Sequence, residues 1–281
     1  MNKPNIVFIM TDQQRADTIN AHGHGHMLTP AMDTLAENGV SFTNAFCPGA
    51  TCVPSRSAIF TGMYAHNTGC YTFQKWAHHR TWVHDLREAG YWCASIGKMH
   101  FLPFHAPGAF QERLVVENPT HLFDFSSEQD DDWGKFLFAN GATRPNQRQQ
   151  SDPDWDSKFQ CVPWKLEERL HSDVFVGDSA VSWIDNYATG KERFFLQVGL
   201  PGPHEPWDPP ERLLEHYRGQ DMPLPDSRHE DLATKPPQQR AHQEYFSEAK
   251  GEARIQMADA TDGDYRRMQE HYYAKISLVD E

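Results

Sequence analysis

Residues 5–10, NIVFIM, form a short and continuously apolar run that is rich in β-branched side chains. This length and composition are typical of a buried parallel strand, which carries apolar side chains on both of its faces. The polar stretch TDQQRAD, residues 11–17, follows at once. In an open α/β sheet, ligands bind at the carboxyl ends of the strands. Asp12 and Gln13 therefore lie where a binding site is expected.

Two further apolar runs are also followed by polar residues. WCASIGK, residues 92–98, predicts a strand that leads into Lys98 and His100, and FFLQVGL, residues 194–200, predicts one that leads to His204. VSFTNAFC, residues 40–47, alternates like a strand. Helical patterns separate these runs, at residues 30–37, 55–62, 81–91, 172–190 and 265–281. Alternating strands and helices predict an α/β fold with a doubly wound, mostly parallel sheet and helices on both faces.

Composition narrows the classes of protein to which the chain can belong. Its 281 residues carry a formal net charge of -13, which disfavours nucleic acid as a partner. Five cysteines, an odd number without a C-x-x-C pair, fit a reducing compartment or one cysteine reserved for chemistry. We find no signal peptide and no apolar run long enough to span a membrane. A cytoplasmic protein with no membrane partner is the expectation.

One domain is expected over residues 1–281, interrupted by polar insertions at about 128–165 and 219–263. Both insertions are rich in charged, proline and glutamine residues. The histidines of HGHGH, residues 22–26, are spaced by glycines and are expected to be solvent-exposed rather than metal-bound.

The stretch CVPSR, residues 52–56, places an arginine one helical turn after a cysteine. Taken alone, Cys52 is more often an inert packed thiol than a reactive group, and Arg56 could simply pair with a surface carboxylate. The other cysteines, Cys47, Cys70, Cys93 and Cys161, are expected to be structural.

Six stretches in register resemble the formylglycine-dependent sulfatases of the alkaline phosphatase superfamily. In chain order they are NIVFIMTDQQRAD, TPAMDTLAENGVSFTNAFC, CVPSR followed by SAIFTG, GKMHF, PHEPW and YYAKISLVDE. The DQQR and PHEPW forms are similar to the branch of phosphonate monoester hydrolases and related arylsulfatases. The family's S-D-H-G stretch and a further lysine lie downstream of the last match. The resemblance thus implies an alkaline-phosphatase-like fold with its C-terminal part missing.

The resemblance also implies the chemistry of Cys52. In this family a maturation enzyme oxidises the cysteine to formylglycine (3-oxoalanine), whose hydrate attacks sulfur and forms a covalent intermediate. Asp12 and the modified Cys52 match residues that hold a divalent metal. Gln13 stands where many family members have a second Asp, and its amide oxygen is the expected ligand there. Oxygen ligands favour Ca²⁺, with Mg²⁺ and Mn²⁺ as alternatives.

The remaining roles follow from the same resemblance. Arg56 matches the arginine that steadies the formylglycine, and Lys98 matches a sulfate-binding cation. His100 matches a base that also contacts sulfate. His204 matches the histidine beside the leaving-group oxygen, where it contacts sulfate or donates a proton.

These expectations describe a sulfuric ester hydrolase that acts on a small anionic sulfate ester. The alternative is a phosphonate or phosphate mono- or diester hydrolase using the same site. The alternative from a different class is an inactive fragment or pseudoenzyme that only binds anions. Assembly into a homo-oligomer is a further expectation.

Overall fold

A computed structural model describes residues 3–117, 130–145, 159–187, 190, 193–224, 234–247 and 260–281. The described residues fall into two compact units. Unit 1 comprises those within Met1–Gln14, Asn38–Arg144 and Leu166–Pro203, and unit 2 those within Arg15–Glu37, Pro145–Lys165 and His204–Glu281. One domain over residues 1–281 stays a prediction.

The strands are β1 (Ile6–Asp12), β2 (Trp92–Gly97), β3 (Glu112–Val115) and β4 (Phe194–Pro203). The α-helices are α1 (Pro30–Asn38), α2 (Cys52–Thr61), α3 (Ala65–Thr68), α4 (Trp82–Glu88), α5 (Asp132–Ala139), α6 (Ser172–Tyr187), α7 (Glu211–Tyr217), α8 (Pro237–Ser247) and α9 (Asp262–Asp280). Helices follow β1, β3 and β4 along the described residues, whereas β2 and β3 are consecutive elements. Short 3-10 turns lie at Asn20–His22 and Glu168–Leu170. Over the described ranges, we find no helix with the length and apolarity needed to cross a bilayer.

The strands form one parallel sheet in the order β1-β4-β2-β3, all within unit 1. Every described pairing in it is parallel, which requires crossover connections and places helices on the faces. The predicted α/β fold with a parallel sheet flanked by helices is confirmed.

Helices cover the two faces of the sheet through alternate side chains of β4. On one face, Trp82 of α4 stacks on Phe60 of α2 at 5.3 Å between ring centroids and meets Phe195 edge-on. On the other face, Trp183 of α6 meets Phe194 edge-on. Successive strand residues point to opposite faces, so adjacent phenylalanines bind helices on opposite sides.

Two facing glycines let β2 and β4 approach closely where β2 ends. Gly97 pairs with Gly199, and the Lys98 N–H donates to the Gly199 carbonyl at 2.8 Å. Gly97 has φ +97°, and a Cβ there would overlap the Gly199 carbonyl oxygen. Glycine is needed at position 97 both for the positive φ and for the close approach of the Gly199 carbonyl. This close approach sets the position of Lys98.

The predicted strand at residues 40–47 was wrong. Val40, Phe42 and Phe46 are 80%, 81% and 88% exposed, and the described chain pairs no strand with this stretch. An alternating pattern forms a strand only where a neighbour takes up its backbone hydrogen bonds. Conversely, β3 was not predicted, because its four residues ERLV include two charged side chains.

The two predicted insertions lie partly outside the described residues, which omit 118–129, 146–158, 225–233 and 248–259. Helix α5 falls within the first, and its Trp133 and Leu137 are buried. Helix α8 falls within the second. The boundaries of both insertions stay predictions.

Unit 2 is held together by polar contacts between α9 and other parts of the unit. Tyr217 and Ser277 join α7 to α9 by a hydrogen bond of 2.7 Å between their hydroxyls. Lys275 donates to Asp208 at 2.7 Å. The Asp280 carboxylate accepts the backbone N–H groups of Ala31 and Met32, which stabilises the first turn of α1.

We expect unit 2 to lose stability in mild acid because of His271 on α9. Burial lowers the pKa of His271 to about 4, against an opposing hydrogen bond to the Trp207 carbonyl. Between about pH 6.5 and pH 4 the unfolded chain therefore binds a proton that the folded one does not, and unfolding is favoured. The expected loss is about 2 kcal/mol at about pH 5 relative to about pH 7.5.

Urea unfolding of the full-length protein at those two pH values measures this loss. His271→Gln is expected to remove most of this pH dependence, whereas the control His66→Gln, at an exposed site, should keep it. Equal slopes for both variants would show that His271 protonates freely in the folded protein.

Candidate active site

Three of the predicted site residues meet at the carboxyl ends of β1 and β2. Arg56 Nη2 lies 2.9 Å from Asp12 Oδ2, and Lys98 Nζ lies 3.0 Å from the same oxygen. Arg56 Nη1 also donates to the Lys98 carbonyl at 2.7 Å. None of the three residues is more than 4% exposed. Two cations therefore converge on one carboxylate with little solvent between them.

Helix α2 brings Cys52 to this cluster. Cys52 is its first residue, and Arg56 follows one turn later, so both lie on the same side of the helix. Cys52 is half-buried and lies within electrostatic range of Lys98, Asp12 and Arg56. The N-terminus of a helix adds a partial positive charge where Cys52 lies.

The unmodified Cys52 is not set up as a thiolate. Burial raises the pKa of the Cys52 thiol; Lys98 and Arg56 oppose this effect, and Asp12 adds to it. The thiolate is the nucleophilic form of cysteine, so a protonated thiol reacts poorly. The raised pKa therefore disfavours direct nucleophilic catalysis by the Cys52 thiol.

Two site residues adopt left-handed backbone conformations directly after strands. Gln13 has φ +63° after β1, and His100 has φ +57° three residues after β2. Non-glycine residues pay about 1–2 kcal/mol for this conformation, and such strain clusters at functional sites. Trp76 holds the second turn by donating to the His100 carbonyl at 2.9 Å.

Glu117 is a member of the site that the sequence analysis missed. Its fully buried carboxylate accepts the backbone N–H groups of Met99 at 3.1 Å and His100 at 2.7 Å. Its second oxygen, Oε2, lies 3.6 Å from His100 Nε2. The sequence signal for Glu117 is its place directly after the apolar stretch LVV, residues 114–116. The same rule, a polar residue after an apolar run, singled out Asp12 and Lys98.

A second buried ion pair supports Glu117 from behind. Asp131 accepts the Glu117 backbone N–H at 2.9 Å, and Arg144 donates to the Glu117 carbonyl at 3.1 Å. Arg144 and Asp131 also pair with each other. Asp131 in addition caps α5 by accepting the Gly134 N–H at 2.8 Å. This support comes from residues that the sequence analysis assigned to a polar insertion.

The predicted metal ligands Asp12, Gln13 and Cys52 do not make up a divalent-cation site by themselves. The Asp12 carboxylate is already matched by two cations. Across the ranges that the structure describes, we find no group of three or more His, Cys, Asp or Glu side chains suited to a metal. Ca²⁺ takes six or more oxygen ligands, so these donors alone do not fit it. Their role as ligands stays a prediction.

His204 belongs to unit 2, and the other predicted site residues belong to unit 1. It is half-buried, and its Nδ1 lies 2.7 Å from the Glu205 carbonyl oxygen and 3.4 Å from the Glu205 carboxylate. Its role beside the leaving group stays a prediction. Lys98, predicted to bind sulfate, has a fully buried side chain turned to Asp12.

The fold and the cluster define an α/β protein with a polar, strained site at the carboxyl ends of its parallel strands, where ligands of such folds bind. The family model described as Sulfatase matches residues 4–281. The chain therefore belongs to the sulfatase family, within the alkaline phosphatase superfamily, and the predicted family is confirmed.

Individual relatives agree with this assignment. An arylsulfatase of Clostridium perfringens is 30% identical over 234 residues, which cover 79% of this chain and 48% of the relative. An N-acetylglucosamine-6-O-sulfatase of Bacteroides thetaiotaomicron is 26% identical over 228 residues, covering 79% of this chain and 35% of the relative. The chain thus spans about half the length, or less, of these relatives.

A solved structure has the same fold over nearly the whole chain. The phosphonate monoester hydrolase of Agrobacterium radiobacter superposes with a TM-score of 0.77 at 21% identity, covering 99% of this chain and 57% of that one. At this level of identity the likeness supports the fold alone.

Proposed function

We propose that this chain carries the nucleophile end of a site that hydrolyses sulfate esters, with Cys52 as the residue that becomes formylglycine. Membership of the sulfatase family indicates sulfate-ester hydrolysis as the activity class. Because the chain spans about half the length of its relatives, the activity of the whole protein is part of the proposal.

One observation carries the proposal: Cys52 begins α2 beside the buried Asp12, Arg56 and Lys98 cluster, with its thiol unsuited to direct attack. The buried ion pairs and the strained backbone at Gln13 and His100 indicate that this site has a chemical role. Oxidation of Cys52 to an aldehyde supplies one, since its hydrate provides an oxygen nucleophile that a protonated thiol does not.

The roles of the chain's own residues follow from their contacts. Arg56 and Lys98 hold Asp12 and fix the carboxyl ends of β1 and β2 around the first turn of α2. Their charges, with the helix N-terminus, favour a negatively charged ester at Cys52. The His100 imidazole is proposed to act as the base that accepts a proton. His204 is proposed to contact sulfate or donate a proton at the leaving-group oxygen.

Several expectations belong to the same proposal. Modification of Cys52 requires a maturation enzyme as partner. Metal binding at Asp12, Gln13 and Cys52, with Ca²⁺ as the first candidate and Mg²⁺ or Mn²⁺ as alternatives, requires ligands beyond the described residues. The cytoplasmic location and a homo-oligomeric state stay predictions.

Peptide mass spectrometry of the full-length protein from its natural host tests the modification. The tryptic peptide of residues 16–56 contains both Cys47 and Cys52, so fragmentation must locate any change. We expect an aldehyde at Cys52 and a thiol at Cys47. Turnover of an aryl sulfate is then compared with turnover of an aryl phosphate and an aryl phosphonate monoester.

The outcomes separate the alternatives. An aldehyde with preferred turnover of the sulfate supports the proposal. An aldehyde with preferred turnover of the phosphonate or phosphate ester would favour a phosphonate or phosphate ester hydrolase. An unmodified Cys52 without turnover of any ester would leave the pseudoenzyme that only binds anions.

A further inference from the structure

We infer that Glu117 is a positioning residue for this site, an inference whose catalytic part rests on the proposed function. One oxygen of its carboxylate fixes the turn that carries Lys98 and His100. The other is the charge partner of the His100 imidazole.

The first oxygen acts on the backbone. Oε1 accepts two successive N–H groups, those of Met99 and His100, at 3.1 and 2.7 Å. His100 is in the left-handed region, which is unfavourable for a residue with a side chain. Bonds from a buried carboxylate to two adjacent N–H groups offset that strain and hold Lys98 and His100 in place.

The second oxygen faces a functional side chain. Oε2 lies 3.6 Å from His100 Nε2 and has no hydrogen-bond partner among the described residues. A buried acceptor left without a partner is costly and calls for an explanation. The imidazole is a cationic partner whenever it carries a second proton, and a facing carboxylate stabilises that form.

The charges around Glu117 favour a carboxylate there. Burial raises the pKa of Glu117, and the nearby cations Lys98 and Arg56 oppose this effect. Arg113 is a further cation within electrostatic range of Glu117. With Asp12 as the counterion of Arg56 and Lys98, an ionised Glu117 reduces the surplus positive charge of this group of side chains.

The carboxylate is not needed to hold its own segment of chain. Asp131 and Arg144 already bind the Glu117 backbone N–H and carbonyl, and they pair with each other. Among the residues that the structure describes, the hydrogen bonds of the Glu117 side chain go to the turn of residues 98–100. This separates positioning of the site from support of the fold.

Glu117→Gln in the full-length protein tests the inference, because the amide keeps an acceptor for the two N–H groups and loses the charge. The matched control is Asp280→Asn. Asp280 is also a buried carboxylate that accepts two successive backbone N–H groups, those of Ala31 and Met32, but it lies in unit 2.

The first readout is the pKa of the His100 ring, measured by NMR with labelled histidine and assigned by its loss in His100→Gln. We expect Glu117→Gln to lower this pKa by about 1 unit or more, and Asp280→Asn to leave it unchanged. The His100 pKa of the wild-type protein is a second test, which does not depend on whether a variant folds. This pKa is expected to lie at or above the ordinary value of about 6.5 despite burial.

The second readout is turnover of the preferred ester. Glu117→Gln is expected to lower kcat roughly 10- to 100-fold with KM within a few-fold of wild type, by analogy with the loss seen when a residue that orients a metal-ligating histidine is replaced. Glu117→Ala also loses the turn and should change both kcat and KM.

The outcomes are distinct. A wild-type His100 pKa well below 6.5, or no change of that pKa in Glu117→Gln, would overturn the inference even in an active enzyme. If Glu117→Gln lowers the His100 pKa relative to the wild type but the wild type turns over no ester, the pairing of Glu117 with His100 is supported and the proposed function fails. Equal loss of kcat in Glu117→Gln and Asp280→Asn would reduce Glu117 to a structural role.

Discussion

Replacing Cys52 with alanine in the full-length protein is expected to lower kcat for sulfate-ester hydrolysis by a factor on the order of 10⁶, as loss of a covalent nucleophile does in other hydrolases. Alanine has no sulfur to oxidise, so no aldehyde forms. The substitution removes one half-buried atom, so the free energy of unfolding should change by about 1 kcal/mol or less. Steady-state turnover and urea unfolding on the same preparation separate loss of chemistry from loss of structure.

Cys47→Ala is the matched control for this prediction. Cys47 lies five positions earlier and is exposed, and its described hydrogen bonds go to the Gly49 carbonyl and the Ser55 hydroxyl. The Cys47→Ala variant should therefore keep the activity of the wild type. If Cys52→Ala turned over the ester at the wild-type rate, the nucleophile would have to be another group and the proposed function would fall.

The strand-end rule explains why much of the site was predictable. Asp12 and Lys98 were singled out because each follows an apolar run, and the parallel sheet brings these strand ends together. Arg56 was singled out by its spacing from Cys52 and by the resemblance of CVPSR to the family's motif. Glu117 obeys the same rule, but it was missed because β3 has only four residues and two of them are charged.

Other features depend on neighbours that a linear pattern does not contain. The left-handed conformations of Gln13 and His100 arise from contacts made after folding, such as the bonds from Glu117. Likewise, the alternation at residues 40–47 resembled a strand, yet no neighbouring strand takes up its hydrogen bonds in the described chain. Periodicity indicates which face of a segment is apolar, whereas pairing decides whether the segment becomes a strand.

Replacing Asp12 with alanine is expected to lower the free energy of unfolding by about 3–5 kcal/mol, because it removes the carboxylate that the buried Arg56 and Lys98 both contact. That is a large fraction of the stability of a typical domain. Asp17→Ala is the control, since Asp17 pairs with Arg15 in an exposed ion pair worth at most about 1 kcal/mol. If the alanine variant does not fold, Asp12→Asn keeps the shape and still removes the charge.

Urea unfolding repeated with and without a chelator shows whether Asp12 is only the counterion of Arg56 and Lys98 or also binds a metal. If Asp12 serves only as the counterion of two cations, the chelator leaves wild-type stability unchanged, while Asp12→Ala loses the full 3–5 kcal/mol or so. If the full-length protein also places a metal on Asp12, the chelator destabilises the wild type and has little effect on Asp12→Ala, because a ligand that binds only the folded state adds to stability. A loss of less than about 1 kcal/mol in Asp12→Ala would mean that Arg56 and Lys98 reach solvent or another anion. The carboxylate then would not organise the strand ends, and the site would have to be held by the backbone contacts of Glu117 and Gly199.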